Sequence, residues 1–182
     1  MRYSERIIKE LNGVYSLISD EDINKVSDLI INSNRVLVVG VGRVFISMKA
    51  WVKRLKHIGI DINYVGSETE GAVHKGDMLI VASSSGESLI PVKIAEIAKR
   101  NEVTVVYIGC NPNSTAGKLS DYYLKIPCKT KLGLPGEFES FQPMSTLFEQ
   151  ALYVLGDIMS YTIMDKKNFD ENEVRNNHAN LE

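Results

Sequence analysis

Ser83-Ser84-Ser85-Gly86-Glu87-Ser88 is a run of hydroxyls and a glycine set between an apolar stretch, residues 78–82, and a helical pattern, residues 89–98. Such a junction suits an anion. The first backbone N–H groups of a helix have no internal acceptor and carry partial positive charge. Small side chains let a phosphate approach them, and hydroxyls donate to its oxygens. A plainer reading is a Ser-rich turn with Ser88 as N-cap and Pro91 in the first helical turn. Three hydroxyls ahead of the cap exceed what capping requires, so residues 83–88 form the candidate cradle for a phosphorylated ligand.

Gly40-Val41-Gly42-Arg43 follows another apolar run. The dinucleotide-binding pattern fails there, because Phe45 stands in the place of the third glycine and no acidic residue ends the next short strand. Gly42 and Arg43 are instead candidates for holding a phosphate or substrate oxygen, with an exposed helix-start residue as the alternative for Arg43. Glu149 lies among apolar neighbours in Thr146-Leu147-Phe148-Glu149-Gln150-Ala151. Partial desolvation there would raise its pKa toward that of a useful base, although a helical Glu is more often a solvated surface residue. His57 ends a helical pattern and favours its dipole, and His74 lies in a polar loop. His178, near the end of the chain, takes no role from its local sequence. The pattern contains no metal-ligand cluster and no Ser-His-Asp arrangement.

The elements that must position these residues follow from periodicity. Apolar runs at 35–39, 62–65, 78–82, 103–108 and 122–126 read as strands. Helical patterns cover 3–18, 19–30, 44–57, 88–98, 114–120 and 144–164. Unbroken apolar strands alternating with helices imply a parallel sheet covered on both faces, whose ligands sit at the carboxyl ends of the strands. Residues 40–42 and 83–88 would then face one crevice. Residues 130–142 form the long loop, and the polar stretch 168–182 reads as a frayed tail.

Composition bounds the rest. The 182 residues suit one domain, and 44% hydrophobic with 24% charged residues is ordinary for a globular chain. A net charge of −2 gives no footprint of nucleic-acid binding. Residues 1–6 carry no apolar signal region, and no apolar run approaches membrane-spanning length. Cys110 and Cys128 have no metal-type spacing and read as reduced thiols of a cytoplasmic protein.

The arrangement resembles the sugar isomerase (SIS) domain family. Ser83, Ser85, Gly86 and Ser88 are similar to its phosphosugar-binding Ser-x-Ser-Gly-x-Ser/Thr motif. Within the family, four stretches resemble the 6-phospho-3-hexuloisomerase group. They are Gly40-Val41-Gly42-Arg43, Lys49-Ala50 with residues 54–59, residues 113–119, and the terminal Asn177-His178-Ala179-Asn180-Leu181-Glu182. The similarity spans essentially the whole chain. It implies one domain, 1–182, built as a three-layer αβα sandwich with a mostly parallel, flavodoxin-like sheet. N-terminal helices at 1–33 would precede an α/β core at 34–165. A tail at 166–182 would reach a neighbouring subunit's site in a homotetramer.

The resemblance also implies interconversion of 3-hexulose 6-phosphate and fructose 6-phosphate through an enediolate, with no metal or cofactor. Glu149 would be the catalytic base and His178 would assist. Arg43 would stabilise developing charge, with Gly42, Ser83, Ser84, Ser85, Gly86, Glu87 and Ser88 around the phosphate. The first two helices and the apolar face of the helix carrying Glu149 would supply subunit contacts. The chain departs from the family at Val44-Phe45, where Ser-Gly is usual, at Ser67-Glu68-Thr69-Glu70-Gly71, and at Ser84, where a glycine is usual. A phosphosugar sensor without turnover, or an isomerase of another sugar phosphate such as arabinose 5-phosphate, are the alternatives.

Overall fold

Alternate residues of each strand face opposite layers, and this alternation organises the molecule. The computed structural model describes residues 2–130 and 132–181; Met1, Lys131 in the long loop and Glu182 at the end of the terminal motif lie outside them. The strands are β1 (Val36–Val39), β2 (Ile62–Tyr64), β3 (Met78–Ser83), β4 (Thr104–Gly109) and β5 (Tyr122–Lys125). The helices are α1 (Tyr3–Tyr15), α2 (Asp20–Asn32), α3 (Gly42–His57), α4 (Leu89–Arg100), α5 (Thr115–Leu119), α6 (Thr146–Lys167) and α7 (Glu171–Asn176). Val36, Val38, Ile80, Ile108 and Leu124 pack against α1, α2, α3 and α6. Leu37, Val39, Leu79, Val81 and Tyr107 pack against α4 and α5. The result is the expected three-layer sandwich.

The five strands run in the order β2-β1-β3-β4-β5, and all four pairings are parallel. Strand order reverses between β1 and β3. Connections leave the two strands in opposite directions there, which opens a crevice at their carboxyl ends. The segments after β1 and β3 are those singled out by residue type, and direct pairing of the two strands makes them neighbours.

Local chemistry sets the helix ends. Ser19 accepts a hydrogen bond from the Asp22 amide, and Asp20, Glu21 and Asp22 place negative charge in the first turn of α2. The structure extends α3 back to Gly42, so Arg43 lies in its first turn. The tail expected to fray instead carries α7, whose start is closed by a reciprocal bond pair between Asp170 and Glu173. A second correction concerns α6. Of its apolar face, expected between subunits, Leu147, Ala151, Leu155 and Met159 are buried in the chain's own core, Ile158 is half-buried and Val154 is exposed. Tyr153, Val154 and Tyr161 are the exposed apolar residues of that helix.

Close approach of α3 to α6 matters most for the site. A Cβ added at Gly156 would stand 2.8 Å from Cγ of Trp51, so glycine lets the indole seat directly on the α6 backbone. Ser47 reinforces the contact by donating to the backbone oxygen of Glu149 at 3.0 Å.

Candidate active site

The loop after β3 is held from below. The Tyr107 hydroxyl donates to the Ser83 carbonyl at 2.8 Å, and the Gly86 amide donates to Ser83 Oγ at 3.1 Å. Gly86 has φ of +71°, and a Cβ there would lie 2.0 Å from Ser114 Oγ. Both the left-handed turn and the tight seat on α5 therefore require glycine. The Cys110 thiol donates to Ser84 Oγ from behind at 3.7 Å, and burial pushes the pKa of that thiol up to about 11.

Ser88 occupies the N-cap position of α4, as expected, but its side chain caps nothing. The third helical residue is Pro91, which has no N–H to offer, and Ser88 Oγ instead lies 3.3 Å from Ser83 Oγ. The first amides of α4 thus keep their donor capacity at the loop. Ser84, Ser85 and Ser88 are half-buried and line a cleft of about 310 Å³. Amides, hydroxyls and the helix dipole of this arrangement can together hold a phosphoryl group.

Arg43, Val44, Ser145 and Glu149 line the same cleft. Glu149 is 9% exposed. Its Oε2 accepts a hydrogen bond from Arg43 Nε, and Ser145 Oγ donates to Oε1 at 3.4 Å. Burial of Glu149 agrees with its apolar flanks. Arg43 keeps the exposure of a helix-start residue, its side chain 67% exposed, and it also serves as the counter-ion that offsets the lost hydration of the carboxylate. The arrangement sets a carboxylate able to move a proton beside a guanidinium able to stabilise oxygen charge, across from an anion cradle.

Not every candidate residue enters this cleft. Gly86 shapes the loop without lining the cavity. Glu87 points to α5, where it accepts from the Thr115 amide at 2.9 Å and the Thr115 hydroxyl at 2.8 Å. Those bonds, the amide's first, hold its carboxyl below the ordinary 4.5. His178 lies in a separate cavity of about 690 Å³ bounded by α6 and α7, with its ring centroid 4.8 Å from that of His57. Within one chain, therefore, Glu149 and His178 are not brought together. His57 is buried at the end of α3 rather than presented to solvent.

Lys129, Thr130, Met144 and Ser145 line the cleft and were missed by residue type alone. Two signals pointed to them. Lys129 follows β5 at its carboxyl end, where ligands of such sheets sit. Ser145 precedes Glu149 by four residues, one helical turn. The Arg43–Glu149 pairing spans 106 positions and has no local signature.

Comparison with known proteins shows the family and the fold. Residues 29–154 match the family model described as SIS domain. A Bacillus subtilis (strain 168) protein named 3-hexulose-6-phosphate isomerase is 32% identical, covering 99% of this chain and 97% of its own. A Mycobacterium gastri protein of the same name is 32% identical, covering 95% and 86%. A Methanococcus jannaschii crystal structure, said to infer a molecular function of 3-hexulose-6-phosphate isomerase, superposes with a TM-score of 0.82 at 27% identity, covering 98% of this chain and 96% of that one.

Proposed function

We propose, because the chain belongs to the SIS domain family, that it is an isomerase interconverting 3-hexulose 6-phosphate and fructose 6-phosphate. One observation carries the reading from the residues upward: the serine loop and the Arg43–Glu149 pair face each other across a single small cleft. The two sugars differ in which of the second and third carbons is the carbonyl. Conversion needs a base that takes a proton from one of these carbons and returns one to the other.

In this mechanism the loop 83–88 and the start of α4 hold the phosphate, and that remote binding orients the sugar. Glu149 removes the proton at the second carbon of 3-hexulose 6-phosphate, forming a 2,3-enediolate, and delivers a proton to the third carbon. Arg43 lies against the enediolate oxygens while keeping the carboxylate in place. Glu87 acts indirectly by fixing the loop to α5. His178 supplies proton transfer to oxygen or ring opening at a neighbouring subunit's site, with the tail reaching across a homotetramer. Two buried free cysteines suit the reducing cytoplasm.

Coupled formation of fructose 6-phosphate by purified protein tests the activity. Calorimetry with fructose 6-phosphate and arabinose 5-phosphate accompanies it. Tight binding of fructose 6-phosphate without conversion would select the sensor reading, which the apolar Val44 wall of the cleft favours. Conversion confined to arabinose 5-phosphate would reassign the substrate.

A further inference from the structure

The charges lining the cleft do not balance. Arg43 and Glu149 neutralise each other, and the serines are neutral. A phosphate monoester brings nearly two negative charges at neutral pH. Among the described lining residues, the remaining charged group is Lys129. We infer that Lys129 is the residue that binds the substrate's phosphoryl charge, held in reserve by Glu139 until the ligand arrives. This rests on the sugar-phosphate reading of the cleft and adds to it a residue that neither the serine motif nor the comparisons assign.

Three observations support the exchange. The base of Lys129 is fixed: its amide donates to the Phe138 carbonyl at 3.1 Å, and the Phe138 amide donates to Pro127 at 2.6 Å. The ammonium pairs with Glu139 at 3.1 Å, where the two side chains are 47% and 84% exposed. A solvent-screened pair of this kind is weak. A phosphoryl group seated on the serine loop carries more charge in a less hydrated place, so the ammonium gains by changing partners. The cleft is also at the small end of the range for ligand pockets, so groups from both walls reach one ligand.

Calorimetric titration of the full chain with fructose 6-phosphate, inorganic phosphate and fructose tests the inference, with thermal melts confirming that each variant folds. Lys129→Gln should weaken both anions about ten-fold and flatten their salt dependence, while Lys129→Arg retains most of the affinity. Glu139→Gln should tighten both. In turnover, Lys129→Gln should raise KM more than it lowers kcat, because the serine loop still orients the sugar while the ammonium contact is equal in ground and transition states. Anion affinity and salt dependence equal to wild type in Lys129→Gln would overturn the inference. Wild-type protein that binds fructose 6-phosphate through Lys129 but never converts it would sustain the inference and refute the isomerase. Wild-type protein that binds neither anion would refute both.

Discussion

Glu149 combines deep burial, a guanidinium on one oxygen and a serine hydroxyl on the other, within the first turn of α6. Glu149→Gln keeps the shape and removes the ability to accept a proton. Turnover should fall by about 10²–10⁴-fold or more, while calorimetry still finds fructose 6-phosphate bound. Gly86→Ala acts differently, forcing a Cβ into Ser114 and straining a left-handed turn. Phosphate affinity should be lost with the loop, measured by the same titration. The Cys110 thiol, with its pKa raised to about 11 chiefly by burial, stays protonated at neutral pH. Native protein should resist iodoacetamide, as mass spectrometry can check; rapid labelling of Cys110 would mean that the serine loop is open from behind.

At the scale of elements, two contacts decide whether the site assembles. Trp51 seats α3 on α6 at Gly156 and so brings Arg43 to Glu149. Gly156→Val would push the helices apart and destabilise the fold by about 1–3 kcal/mol in denaturant unfolding, with activity lost out of proportion. The other contact joins the serine loop to α5 through Glu87. Its carboxyl is depressed when folded, so its stabilising contribution is present above the ordinary 4.5 and is lost as pH falls through the lower folded value. Glu87→Gln should therefore lower Tm at neutral pH, and the gap from wild type should close in acid. A gap independent of pH would exclude the charged tie.

Much of this was legible from pattern. Unbroken strands such as residues 103–108 announced a doubly covered sheet, and the carboxyl-end rule then placed residues 40–42 and 83–88 in one crevice. What stayed hidden depends on packing across long separations. No window of sequence pairs Arg43 with Glu149, because α3 and α6 meet only after the sheet has ordered them. Periodicity gave α6 an apolar face but could not say that α1, α2 and α3 cover it. The tail misled for the opposite reason. Polar composition suggested fraying, while Asp170 and Glu173 close a helix end through local bonds that composition does not count.

At the scale of the whole molecule, His178 and Glu149 occupy different cavities of one chain, so a shared site demands a neighbour. Exposed Ile46, Tyr153 and Tyr161 offer apolar surface for it. Mixing Glu149→Gln protein with His178→Ala protein under conditions that exchange subunits should restore part of the activity that each variant lacks alone. No recovery in mixed assemblies, despite exchange verified by sedimentation, would confine His178 to a structural role.

The most direct examination of the account is a crystal structure with fructose 6-phosphate bound. The phosphoryl group is predicted to rest on the hydroxyls of Ser84, Ser85 and Ser88 and the first amides of α4, with the second and third sugar carbons against the Glu149 carboxylate. A phosphoryl group bound in another cavity, or a sugar whose second and third carbons lie out of reach of Glu149, would contradict it.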